Sequence, residues 1–182
     1  YGQTGYSEQT SLVDFNGTGA QSINTTGGEN FYSLKKSAAG TTTMMSDVGV
    51  LGGGTSAFTL LAGTFDAGVN SFTSAASPLN MSGGFLKLGK TGATALPEFL
   101  IPAYNITAGT IELYGNGDQL LRGGRDYRNL SFSTAGTKTV SSSITSITGT
   151  ILTQHSVILD VSDRIMGGAG TNLTMTGTST YR

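Results

Sequence analysis

The sequence predicts an all-β chain, a right-handed parallel β-helix or β-solenoid built from tandem repeats. Three observations lead there. Tyr127–Thr139 (YRNLSFSTAGTKT) has an earlier and looser copy at Phe31–Thr43 (FYSLKKSAAGTTT), 96 positions back. Apolar residues fall in short bursts that alternate with Ser or Thr (TIELY, NLSFS, SVILDV, NLTMT), the period of a half-buried strand, and no window of ten or more residues carries a glycine-free helical face. The centres of these bursts also recur at a spacing near that of a solenoid coil, about 20–25 residues.

The first copy opens with SLVDFNGTGAQ (Ser11–Gln21) and the second with GTIELYGNGDQ (Gly109–Gln119). At an offset of 98, Val13 falls on Ile111, Phe15 on Leu113, Gly17 and Gly19 on Gly115 and Gly117, and Gln21 on Gln119. At 96, Leu34 falls on Leu130, Gly40 on Gly136, Thr43 on Thr139, Val48 on Ile144 and Leu51 on Ile147. At 94, Phe65-Asp66 falls on Leu159-Asp160, Leu79 on Leu173, Met81 on Met175 and Gly83 on Gly177. Residues 1–108 are read as the first copy with its connecting loop, 89–108. Residues 109–182 are a second, truncated copy, and the two form one continuous solenoid. Pro97 and Pro102 flank the apolar run of the connecting stretch, which reads as a turn or crossing loop. The chain begins without Met and starts and stops inside patterned sequence, so an excerpt of something longer is expected.

A repeat of about 95 residues also suits tandem immunoglobulin-like sandwiches. Strand centres favour the solenoid: Val13, Leu34, Phe58, Leu79 and Leu100 are 21 to 24 apart, and Ile111, Leu130, Ile151 and Leu173 are 19 to 22 apart. The Trp and the Cys pair of immunoglobulin domains are both missing. Thr and Val suit extended backbone, Gly suits the corners, and neighbouring coils supply the stability that one coil lacks.

Gly, Ser and Thr make up about two fifths of the chain, yet 37% of residues are hydrophobic and patterned, which reads as folded rather than as linker. A net charge of -1 gives no footprint for nucleic acid, and no segment approaches the roughly 20 apolar residues of a membrane span. No signal-peptide pattern stands at Tyr1, and without cysteine there is no disulfide scaffold. The partners expected are neighbouring repeats of the same chain and a surface polysaccharide or glycan.

The order GTIELYGNGDQ, YRNLSFSTAGTKTV, SVILDV and GTNLTMTGT resembles a repeat of very large secreted surface proteins of gliding and other Bacteroidota, the giant gliding-motility adhesins of the SprB type. The resemblance covers most of Ser11–Gly83 and Gly109–Arg182. It is closer in the second copy, because the first has Ser33 and Thr42 where the pattern has Asn and Lys. It implies a non-catalytic cell-surface adhesin segment, extracellular and exported by the type IX route.

Candidate sites are few. Arg122, Arg125 and Arg128 in LRGGRDYR form a small basic cluster, two of which suit contact with an anionic polysaccharide or phosphate, with Tyr127 as a stacking surface. The first copy has GGENFY there, so the plainer reading is a solvated loop. His155 is the one histidine and there is no cysteine, so a zinc site or a Ser-His-Asp triad lacks parts, and a loop residue is expected. Asp14/Glu112 and Asp66/Asp160 recur in both copies, which favours turn hydrogen bonds or surface ladders over a catalytic pair. No calcium-loop signature is present, so neither metal, cofactor nor catalytic residue is assigned. Asn16, Asn24, Asn80, Asn105, Asn129 and Asn172 stand in Asn-x-Ser/Thr context and are candidate glycosylation sites. Two alternatives are kept: a β-helix polysaccharide-degrading enzyme or phage tailspike-like protein, and an ice-binding solenoid suggested by Thr41–Thr43, Thr137–Thr139 and Thr174–Thr180.

Overall fold

Thr, Val, Ile and Phe alternating with small polar residues suit extended backbone, and here they form short strands that wind into a parallel β-solenoid of about seven turns. The computed structural model describes residues 11–52, 57–74, 77–92 and 104–182, and no helix occurs among them. In chain order, β1 (Leu12–Phe15), β2 (Gln21–Ile23) and β3 (Glu29–Phe31) form the first coil. β4 (Ser33–Lys36), β5 (Thr41–Met44) and β6 (Val48–Val50) form the second, and β7 (Phe58–Leu60), β8 (Thr64–Asp66) and β9 (Phe72–Ser74) the third. The long strands β10 (Leu79–Leu88) and β11 (Tyr104–Leu113) each span two faces, and β12 (Gln119–Leu121) follows. The last coils hold β13 (Asp126–Tyr127), β14 (Asn129–Phe132), β15 (Gly136–Val140), β16 (Ser146–Ile147), β17 (Thr150–Thr153), β18 (Val157–Asp160), β19 (Asn172–Met175) and β20 (Thr180–Tyr181).

All pairings between named strands are parallel, which removes the antiparallel sandwich alternative. On the first face Val13, Leu34, Phe58 and Leu79 are direct register partners. On the second face Ile111, Leu130, Ile151 and Leu173 are too. Leu79 is followed by Tyr104, while Leu100 lies outside the described residues. The expected connecting loop needs correction at its end. Tyr104–Ala108 belong to β11, because their alternating residues continue the column of β10 and Asn105 donates to Asn80 at 2.8 Å; residues 93–103 of that loop lie outside the described residues.

The outward column of the second face runs Ser22, Thr43, Asp66, Lys87, Glu112, Ser131, Leu152 and Thr174. It crosses from the first copy into the second without a break. It also exposes an offset between them. Thr110–Leu113, the equivalent of β1, lies not on the first face with β1 but on the second, stacked on Phe85–Leu88 and through them on β8. The equivalent of β2, β12, takes the position that follows the second face and bridges to Gly92. The equivalent of β3, β13, packs Tyr127 edge-on against Tyr104 of the first face, with ring centroids 6.0 Å apart. One copy is therefore four coils plus one face, and the second copy is set one face round the axis from the first.

The core is a single thin column. Phe58, Phe65 and Phe72, one from each face of the third coil, meet with centroids 4.8 to 5.1 Å apart. Inward residues of the middle coils (Leu34, Leu79, Leu86, Leu113, Phe132, Leu159) are fully buried, whereas Leu173 and Met175 of the last coil are exposed. In Tyr127–Thr139, Leu130 and Phe132 are buried, Gly136 turns the corner at φ +104, and Thr137 and Thr139 stand on the next strand.

Candidate functional site

Three recurring hydrogen bonds show what the repeated polar residues do. Ser37 Oγ donates to Asp14 Oδ1 at 2.8 Å, and Ser133 Oγ to Glu112 Oε1 at 2.6 Å. The backbone N–H of Gly68 donates to Asp66 Oδ1 at 2.9 Å, and that of Ser162 to Asp160 Oδ1 at 3.0 Å. The backbone N–H of Gly17 donates to Gln21 Oε1 at 3.1 Å, and that of Gly115 to Gln119 Oε1 at 2.9 Å. The recurrent carboxylates hold turns and neighbouring coils. Asp160 is held below the usual carboxylate range, first by the Ser162 hydroxyl and also by Arg182.

The arginine cluster does not converge. Tyr127, offered by the sequence as a stacking surface, is only 2% exposed, and its hydroxyl donates to the Arg122 carbonyl at 2.7 Å. It continues the inward position of Phe31, so the ring belongs to the core, and burial pushes its phenol up. Arg125 is also buried. Its guanidinium lies 5.3 Å from the Tyr104 ring centroid and donates to Gly124 O, while Nε has no partner among the described residues. Arg122 is half-buried and Arg128 exposed, with Arg128 Nη1 on Thr148 Oγ1 at 2.9 Å.

A different charged group forms where the copies join. Lys87 Nζ sits 3.4 Å from Glu112 Oε2 and 4.9 Å from the Tyr114 ring centroid. Tyr114 reaches across Gly89 to donate to Asp66 Oδ1, two coils back, at 2.7 Å. A Cβ on Gly89 would stand 2.8 Å from the tyrosine ring and 2.7 Å from Gly68 O, so only glycine lets the ring lie there. Burial, then the Asp66 bond, raise the Tyr114 phenol, which stays protonated as the donor. Sequence comparison missed this group because Tyr114 replaces Asn16 and the residues come from different copies. The carboxylates are engaged by Lys87, Ser133, Tyr114 and a backbone amide, which holds them as acceptors.

His155 stands in an exposed turn at φ +60. Among the described residues no three His, Cys, Asp or Glu gather as metal ligands. Of the six Asn-x-Ser/Thr asparagines, Asn129 is tied at both ends. Its Nδ2 donates to Gly109 O and its Oδ1 accepts from Thr150 N, so modifying that nitrogen breaks a corner contact. Asn105 donates to Asn80, while Asn16, Asn24 and Asn172 are exposed. The outward column of the second face mixes Thr with Asp66, Lys87, Glu112 and Leu152, which is not the unbroken threonine rank that ice binding requires.

Two lysines are buried at corners. Lys138 Nζ donates to Gly115 O at 2.7 Å, Gly117 O at 2.8 Å and Gln119 Oε1 at 2.8 Å, with Ala135 O at 3.4 Å. Lys36 Nζ donates to Phe15 O and Gly17 O, both at 3.2 Å. Burial pushes both ammonium groups down, Lys138 to about 8, so it still carries its charge at neutral pH. Compared with models of known families, with curated protein sequences and with solved structures, the chain matches none.

Proposed function

We propose that this chain is a structural and adhesive segment of a large repetitive extracellular surface protein, of the kind the motif resemblance implies, non-catalytic and serving attachment to a surface or glycan. The supporting observation is the column Thr43–Asp66–Lys87–Glu112–Ser131, which passes from one copy into the next. Copies joined in this way add length and outer surface rather than separate domains. The charged groups at the junction are matched across coils, an arrangement that suits a surface ladder better than a general acid and base, where one carboxyl must stay protonated.

The contact points proposed are Tyr114, at the corner that follows β11, and, on separate corners, Arg122 after β12 and Arg128 before β14. Affinity electrophoresis through gels containing neutral or acidic polysaccharides tests it, with a parallel assay for new reducing ends or unsaturated products. Retardation without chain cleavage, weakened in Tyr114→Ala or Arg128→Ala, is the expected result. Cleavage of any of the polymers would establish the enzyme reading instead, and migration unchanged in every gel would remove the glycan-binding half of the proposal.

A further inference from the structure

The buried lysines carry more than a packing role. Each copy holds one lysine in its first corner, but from a different strand. In the first copy Lys36 comes from β4, before the corner, and Thr42 stands after it on β5. In the second copy the equivalents are Phe132 and Lys138, so the lysine comes from β15, after the corner. The two ammonium groups nevertheless reach equivalent carbonyls, Gly17 O in one copy and Gly115 O in the other. Thr42, the equivalent of Lys138, is fully buried with a hydroxyl that has no partner among the described residues.

A side chain conserved only for its shape would come from one strand. What both corners share is a positive charge among backbone oxygens. Lys138 Nζ has four oxygen neighbours between 2.7 and 3.4 Å for three N–H bonds, and none belongs to a carboxylate. Asp118, whose charge acts on it, instead accepts from the Thr137 amide. Carbonyl rings of this kind replace the water shell of a monovalent cation. We propose that the first corner of the second copy is a monovalent-cation site, lined by the Gly115, Gly117 and Ala135 carbonyls and Gln119 Oε1, which the chain fills with its own lysine and which takes a free potassium or ammonium ion once that lysine is removed.

The test compares thermal unfolding of the full chain in choline, sodium, potassium and ammonium chloride at one ionic strength. The unaltered chain should melt alike in all four. Lys138→Ala should melt several degrees lower in choline, and potassium or ammonium should restore part of the loss, rising with log concentration as a single native-state site requires. Equal midpoints for Lys138→Ala in choline and potassium would overturn the proposal. If that variant does not fold in any salt, Lys138→Met, which keeps most of the stem, is put through the same comparison of choline with potassium, and the first copy tests whether a corner needs the charge at all. Lys36→Met should lower the midpoint, and adding Thr42→Lys should recover it by delivering the ammonium from the other strand. Failure to recover would mean that the lysines act through their stems alone.

Discussion

At the scale of single residues, Gln119 ties more of the chain together than any residue the sequence offered as a site. Its Oε1 accepts from Gly115 N and Lys138 Nζ, and its Nε2 donates to Leu88 O and Lys90 O. Among the described residues Gln21 makes one bond of this set, to Gly17 N, and it is half-buried. Losing buried hydrogen-bond partners leaves their desolvation cost uncompensated, so Gln119→Ala should lower stability by about 3 kcal/mol and Gln21→Ala by about 1 kcal/mol, read from urea unfolding. Equal losses would contradict the corner geometry. The recurrence of the glutamine was legible in the sequence, as was that of Asp14/Glu112. The burial of Tyr127 is legible too, because the residue occupies the position of the apolar Phe31 of the first copy. The exchange of lysine between strands was not, because aligning copies position by position sets Lys36 against Phe132 and Thr42 against Lys138, two apparent mismatches.

At the scale of elements, corners and columns decide the coil. Gly63 turns the chain between β7 and β8 at φ +71, and a Cβ there would run into the Ala38 and Gly40 carbonyls of the coil below. Neither carbonyl can yield without moving its own coil, so Gly63→Ala should cost more than the roughly 1 kcal/mol usual for strained positive φ, and should show as a lost or broadened unfolding transition. Phe65 touches both Phe58 and Phe72, and Phe65→Ala should cost about 3–5 kcal/mol by the same unfolding measurement. The strand columns were readable because alternation marks one inward face and the coil length is nearly constant. The path of β10 across two faces shows in a change of parity, with Leu79 and Met81 inward before Gly83-Gly84 and Leu86 and Leu88 inward after, whereas its continuity as one strand paired along its length with β11 shows only in the structure. Prolines also drew the loop too far, to Ala108, where the backbone has already re-entered the column as β11.

At the scale of the whole molecule, the repeat and the coil are different periods. The register steps along the second face are 21, 23, 21, 25, 19, 21 and 22 residues, and a repeat of 94 to 98 is not a whole number of them. The sequence displayed both numbers, but only the pairing of Glu112 with Lys87 shows that the remainder is one face. Successive copies in an array would then turn their equivalent surfaces to each of three faces in order. At about 4.8 Å per coil each copy would add about 21 Å of length, less than the step of about 30 Å or more expected for beads of 100-residue globules. Scattering from tandem chains would read that increment. The most direct test needs only this chain, which has no cysteine of its own, so labels attach only where they are placed. Thr43→Cys in the first copy and Leu152→Cys in the second lie on one outward column, five register steps apart. Spin-label distances between them should give one narrow distribution corresponding to a backbone separation of about 24 Å. A broad distribution, or one centred well beyond that span, would mean that the two copies do not share a solenoid.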